Sequence, residues 1–169
     1  MPRRPTNPSA STPATVLLAR AGETFAAHLY DSTPDADSYG AEAVAQLAPA
    51  VGVAPEQVFK TLMVQVDDRL VVAVLAVTDS LSLKALASAA GGKRAKLATV
   101  ADAERATGYV VGGISPLGQR RRLPTYLDNS AVEHSTLLVS GGRRGLELQL
   151  TPDTLIRLTR AVLVPIAQP

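Results

Sequence analysis

The chain has 169 residues and no cysteine, which allows one domain with its own core and excludes disulfides, thiolate metal sites and a cysteine nucleophile. It has two histidines, His28 and His134, too few for a histidine-based metal cluster. The formal net charge is only +2, but basic residues bunch at 93–96, 120–122 and 143–144 while many acids lie before position 70. That asymmetry fits either one face that attracts polyanions or charge solvated over several faces.

Residues 1–11 are rich in proline and polar residues and read as a flexible tail ahead of a single domain at 12–169. Their start has charge but no apolar stretch, unlike a secretory signal. The longest apolar runs are of strand length, far below the roughly 20 residues that span a bilayer, so a soluble cytoplasmic protein without membrane contact is expected. Thr12-Pro13 marks a helix start, with Gly22 as its stop. Residues 25–30 read as a strand. The acidic loop at 31–38 lacks the glycine and terminal glutamate of a calcium loop.

Helical spacing of Ala43, Val44 and Leu47 predicts a helix over 39–48, broken by Pro49. Pro55 opens a single helical turn. Residues 60–66 and 70–77 flank Asp67-Asp68-Arg69 as a β-hairpin, whose second strand is apolar throughout and so should be covered on both faces. Ser82 and Thr99 cap two further helices, which end at Gly91 and Gly108. Residues 109–111 read as a short strand entering a loop of Gly112, Gly113 and Gly118, with Ser115 and Pro116 between them and Arg120, Arg121 and Arg122 beyond. Glycine amides beside fixed positive charge suit an oxyanion, although a tight turn with a solvated basic edge has the same composition.

Residues 125–128 and 136–140 read as strands. Gly141-Gly-Arg-Arg-Gly145 turns the chain into 146–150, where alternation puts Glu147 and Gln149 on the face opposite the leucines. Thr151 caps a last helix. Strands with interspersed helices and no regular βαβ repeat predict an α+β domain or partly open barrel.

Few residues offer chemistry by themselves. Lys60 enters a core strand at its edge, where a lysine also snorkels harmlessly. Tyr30 and Tyr39 are compatible with ordinary packing, and Ser140-Gly141-Gly142 with a plain hairpin turn. No serine lies in a nucleophile elbow, and neither histidine has an evident partner.

Three stretches taken together, Val58-Phe-Lys-Thr-Leu62, the run from Thr107 to Gly118 with Arg122-Leu-Pro124, and Val139-Ser-Gly-Gly-Arg-Arg-Gly-Leu146, resemble the YbaK/EbsC aminoacyl-tRNA deacylases. These are free-standing relatives of the editing domain of bacterial prolyl-tRNA synthetases. The resemblance spans roughly residues 13–160. It implies a mixed, partly open β-barrel with peripheral helices that hydrolyses mischarged tRNA, typically Cys-tRNA(Pro), without metal or other cofactor and with help from prolyl-tRNA synthetase.

By position, Lys60 matches the family lysine most closely tied to activity. Gly112 and Pro116 match the Gly-x-x-x-Pro loop that faces the terminal adenosine and the ester, and Gly113, Ser115 and Gly141 belong to the same two loops. Ser140 and Tyr30 match a pocket serine and tyrosine. Tyr39 stands where phenylalanine is common, and Glu147 where aspartate often lines the pocket, which leaves deacylation of Ala or another small amino acid open. The oxyanion donors would be amides of Gly112, Gly113 or the Gly141-Gly142 turn. A non-catalytic module that holds tRNA or a nucleotide is the competing class.

Overall fold

The computed structural model describes residues 11–32 and 39–168; the expected tail at 1–11, Ser11 excepted, and most of the acidic loop lie outside them. Helix α1 (Pro13–Arg20) starts on Thr12 as its sequence requires. The Thr12 hydroxyl accepts from the Thr15 N–H, and Thr15 Oγ1 accepts from the Thr12 N–H at 2.8 Å, so two otherwise unpaired end groups are satisfied reciprocally. Strand β1 (Ala26–Leu29) follows.

The next helical stretch has three parts, α2 (Tyr39–Glu42), a π-helical turn (Ala43–Leu47) and α3 (Ala48–Val51). Pro49 does not stop it, contrary to the sequence expectation. A proline inside a helix lacks its N–H and crowds the carbonyl one turn back, and the wider π turn immediately before it relaxes that conflict. The stop is Gly52 instead, in the left-handed region at φ 74°.

After a 3-10 turn at Pro55–Gln57 come β2 (Phe59–Val66) and β3 (Arg69–Ala76), paired antiparallel from Phe59–Ala76 to Val66–Arg69. Then follow β4 (Ser80–Leu81), α4 (Leu83–Ala89), β5 (Ala95–Leu97), α5 (Val100–Thr107), β6 (Thr125–Asp128), a 3-10 turn (Asn129–Glu133), β7 (Leu137–Ser140) and β8 (Leu146–Leu150). Helix α6 (Pro152–Thr159), β9 (Val162–Val164) and β10 (Ala167–Gln168) complete the chain. The sequence reading found α4, α5 and α6 with their caps but not β4, β5, β9 or β10.

One sheet has the order β5-β2-β3-β6-β9, a second β1-β8-β7, and a two-stranded ladder joins β10 to β4. The pairs β3–β6 and β6–β9 are parallel and the others antiparallel. The fold is therefore mixed α+β, and no ladder among the described residues closes a barrel. The two larger sheets meet at a single bridge, Val58 to Leu138.

Strand β3 is central and apolar because both its faces are covered, as expected. Val72, Val74 and Ala76 enter a core with Leu127, Leu148 and Leu155, while Val71 and Ala73 pack with Leu86 and Ile166 behind the sheet. Residues 109–111, in contrast, are not a strand. The Tyr109 hydroxyl donates to the Leu117 carbonyl at 2.6 Å, the Val111 N–H donates to Glu104 Oε2, and Val110 is 66% exposed. With their polar groups met locally, these residues have no neighbouring strand to pair.

The chain's end is fixed by one buried carboxylate. Asp128 Oδ1 accepts from the N–H groups of Ile166 and Ala167 at 3.0 and 2.9 Å, and its Oδ2 accepts from Ser130 N–H and Oγ. Burial pushes its pKa up, but the Ser130 hydroxyl and the three amides together outweigh that and hold it below the ordinary aspartate value. Asp128→Ala is expected to destabilise the protein by about 2–4 kcal/mol, as a lower urea midpoint with an unchanged slope. Because the folded pKa is depressed, the contribution is full above the unfolded value and disappears as pH falls through the folded one. The gap between wild type and variant should close in acid.

Candidate functional site

The structure places the N-terminal half of β2, the β5–α5 connection and the two glycine loops around one cavity of about 360 Å³. Lys60, Thr61, Met63, Gly112, Ser140 and Glu147 are among the residues that line it. Four residues nominated from sequence thus converge, although they come from three distant segments.

Lys60 is half-buried on β2, and its ammonium donates to the Asp79 carbonyl at 2.6 Å. Burial holds its pKa below the usual lysine value, with partial opposition from the Asp79 charge. Glu147 reaches the cavity through cross-strand neighbours, His28 on β1 and Ser140 on β7. It is 7% exposed, its Oε2 has no hydrogen-bond partner, and desolvation pushes its pKa up to about 8. At neutral pH it is mostly a neutral acid, able to donate or accept a hydrogen bond. Thr61 Oγ1 is a second buried polar atom without a partner. Two residues of the cavity wall thus each carry a buried polar atom without a partner.

The glycine loops owe their shape to contact with each other. A Cβ on Gly113 would lie 2.6 Å from Arg143 Cα and 2.9 Å from Arg144 N. Gly142 packs on Tyr109 and Thr12, and the Thr12 hydroxyl donates to the Gly141 carbonyl. This accounts for the amides as well. The Gly113 N–H donates to Val110 O, the Gly141 N–H to Leu146 O and the Gly142 N–H to Ser140 Oγ. Gly112, at φ 96°, lines the cavity, and among the described residues its N–H meets no protein acceptor.

Five of the remaining nominated residues lie elsewhere. Ser115 is fully buried, its hydroxyl accepting from the Leu117 N–H, and Pro116 borders a separate concavity with Leu17 and Leu158. Gly113 and Gly141 sit behind the cavity wall. Tyr30 follows β1, packs against the Val58–Leu138 cluster and donates its N–H to Gly145 O. Its phenol is pushed up to about 12 by burial and then by the Glu147 charge, which places it near Glu147 without lining the cavity. Tyr39 opens α2.

Thr61 was missed because strict alternation sends residues 60 and 61 to opposite faces of a strand, so the choice of Lys60 argued against its neighbour. Leu97 and Ala98 were missed with β5 itself. The apolar segment Ala95-Lys-Leu-Ala98 was the available signal, too short to separate from a loop.

The structure is thus a mixed α+β domain with a half-buried lysine and a buried carboxyl group on one cavity, and the comparisons make its class specific. The family model for the aminoacyl-tRNA editing domain matches residues 39–158, and the chain belongs to that family. It is 38% identical over 132 residues to EbsC of Enterococcus faecalis, described as a Cys-tRNA(Pro)/Cys-tRNA(Cys) deacylase, covering 77% of this chain and 78% of that protein. Among solved structures, one described as a trans-editing enzyme for prolyl tRNA synthetase superposes with a TM-score of 0.80 at 24% identity, over 96% of this chain and 99% of the other. The hypothetical protein APE2540 gives 0.79 at 22% identity, over 93% and 100%. At these identities the two structures attest the fold.

Two measurements test this geometry. Gly113→Ala should cost about 1–3 kcal/mol of stability, because the atoms in its way are backbone and cannot swing aside; a urea titration reads it. Glu147 has a raised folded pKa, so the folded state holds a proton that the unfolded state releases, and stability declines as pH climbs from the unfolded value toward about 8. Glu147→Gln should flatten that decline in unfolding curves taken between pH 5 and 8.

Proposed function

We propose that this protein is a trans-editing aminoacyl-tRNA deacylase and that its substrate is Cys-tRNA(Pro). The observation that carries the reading is the convergence of Lys60, Gly112, Ser140 and Glu147 on one cavity in a chain of the editing-domain family. In this reading residues 12–169 are one deacylase domain, and the two larger sheets joined at Val58–Leu138 are the partly open barrel. The enzyme works in the cytoplasm, needs no metal, and meets its substrate through transient contact with prolyl-tRNA synthetase.

No side chain in the cavity is a credible nucleophile, so the substrate supplies its own. A cysteinyl thiol with a pKa of about 8.5 is a few per cent thiolate near neutral pH. Its sulfur bonds to the ester carbonyl carbon and the carbonyl oxygen takes up negative charge. The ester C–O bond then breaks, and the tRNA ribose oxygen leaves and takes a proton. The product is a four-membered thiolactone, which water opens to free cysteine. Confinement supplies the rate, since well-oriented intramolecular reactions reach effective molarities of roughly 10⁵ M or more.

Each cavity group then has a part. The free Gly112 N–H donates to the developing oxyanion. The Lys60 ammonium, released from or shared with the Asp79 carbonyl, holds the ribose or phosphate of the terminal adenosine. Glu147 and Thr61 take their missing partners from the α-amino group and side chain of the amino acid, with Ser140 beside them and Tyr30 buttressing Glu147 from behind.

Lys60→Ala is expected to lower release of labelled cysteine from Cys-tRNA(Pro) roughly 100-fold or more, with the fold intact by circular dichroism. Release from Ala-tRNA(Pro), which has no thiol, should stay low with or without prolyl-tRNA synthetase. Rapid loss of alanine would replace self-cyclisation by attack of water and change the substrate. No turnover of either ester would favour the binding-module reading.

A further inference from the structure

Beyond the cavity, the described surface holds a second concavity, of about 590 Å³, between the β2–β3 turn, α5 and the segment after the first glycine loop. Its charged lining is Arg69, Arg105, Arg121 and Arg122 against Asp68 and Asp102. Part of this charge is already committed. Arg105 lies 3.7 Å from Asp102, and Arg69 donates to the Ala90 carbonyl at 2.9 Å. Arg121 and Arg122 are exposed and have no carboxylate partner among the described residues. Their backbone is nonetheless fixed, since the Arg121 N–H donates to the Ala106 carbonyl at the end of α5. Lys96 adds a further cation across the strand from Gln65, which borders the same cleft.

Resting on the deacylase reading, we propose that this arginine cleft grips the phosphodiester backbone of the RNA whose aminoacyl end occupies the Lys60 cavity. The spacing fits. β2 borders the cavity from Phe59 to Met63 and the cleft at Gln65, so Lys60 lies roughly 17 Å from the cleft along the extended strand. A few unpaired nucleotides, stacked at about 3.4 Å each, bridge that distance and leave the first duplex phosphates over the arginines. Guanidinium groups suit this task, because their forked donors match phosphate oxygens and never lose their charge. Nothing in the cleft reads bases in this proposal. It contributes affinity for RNA of any sequence, and identity is left to other contacts.

The test uses the full chain and the double variant Arg121→Ala/Arg122→Ala. A charge-matched control, Arg20→Ala/Lys84→Ala, removes two exposed cations that do not line the cleft. Binding of uncharged tRNA is followed by fluorescence anisotropy across a salt series, and deacylation is measured on Cys-tRNA(Pro) and on cysteinyl-adenosine. The arginine variant should bind tRNA about 10-fold or more weakly at low salt and reduce the slope of log affinity against log salt by about 1–2. It should raise KM for Cys-tRNA(Pro) and leave cleavage of cysteinyl-adenosine unchanged. Unaltered tRNA binding, an equal loss in the control, or an equal loss on both esters would overturn the proposal. If the wild type cleaves neither ester, the deacylase reading fails while the binding arm still decides whether the cleft holds RNA.

Discussion

The site depends on how closely two backbone loops approach each other. Gly113 lies against the Arg143–Arg144 peptide, Gly118 against the Pro13 carbonyl and Gly142 against Tyr109 and Thr12. None of these contacts leaves room for a Cβ. Together they clamp residues 109–118 between α1 and the β7–β8 turn, and through that turn they fix Glu147 and Ser140, which are paired across it. The glycines therefore serve mainly to bring protein to protein. Gly112 is the exception, lining the cavity with an amide that has no protein acceptor among the described residues.

That clamp allows an electrostatically poor pocket to exist. Lys60 and Glu147 are both shifted toward neutrality by desolvation, in opposite directions. A pair of this kind in mutual contact would hold its charges and lock the cavity shut. Kept apart, each is left needing a partner, Glu147 with an unpaired Oε2 and Lys60 with only a carbonyl. On the proposed reading, an aminoacyl ester would bring an amine toward one and a ribose or phosphate oxygen toward the other, so that binding removes two desolvation penalties together. A ligand with only one of these groups leaves the second penalty in place, which favours the intact acyl–adenosine junction over free amino acid or free nucleotide.

The sequence was legible wherever a local rule governs the backbone. Thr12, Ser82, Thr99 and Thr151 each accept from the amide three residues on, and each begins the helix they predict. The β2–β3 hairpin and the two-sided burial of β3 follow from apolar pattern alone. Failures come where tertiary context decides. Pro49 was read as a break, but a π turn upstream absorbs it. Residues 109–111 have strand composition without a strand beside them. β9 and β10 are short and pair with distant partners, and Ala167 of β10 is pinned by Asp128 from 39 residues away. In the site, family resemblance rather than pattern nominated Lys60 and Glu147. It carried Ser115, Pro116, Gly113 and Gly141 along with them, residues of the same loops whose side chains or amides are turned to the protein. Cavity lining and hydrogen-bond accounting together separate Gly112 from its neighbours.

The same accounting bears on how chemistry and recognition are divided. The cavity of about 360 Å³ is bounded mainly by apolar residues and has only Lys60 and Glu147 as ionisable groups, whereas the cleft is lined by four arginines and two aspartates among its apolar residues. An apolar pocket with a few unpaired polar groups discriminates by shape and by which groups it satisfies, and gains little from long-range attraction. A basic cleft attracts from a distance, weakens with salt and is indifferent to sequence. Both border one strand, and α5 contributes Ala103 to the first and Arg105 to the second, so on the proposed reading a generic hold on RNA would deliver an ester end to a selective pocket. Selectivity then resides in the acyl group rather than in the nucleic acid. This is the division required of an enzyme that must leave correctly charged tRNA untouched while binding it equally well.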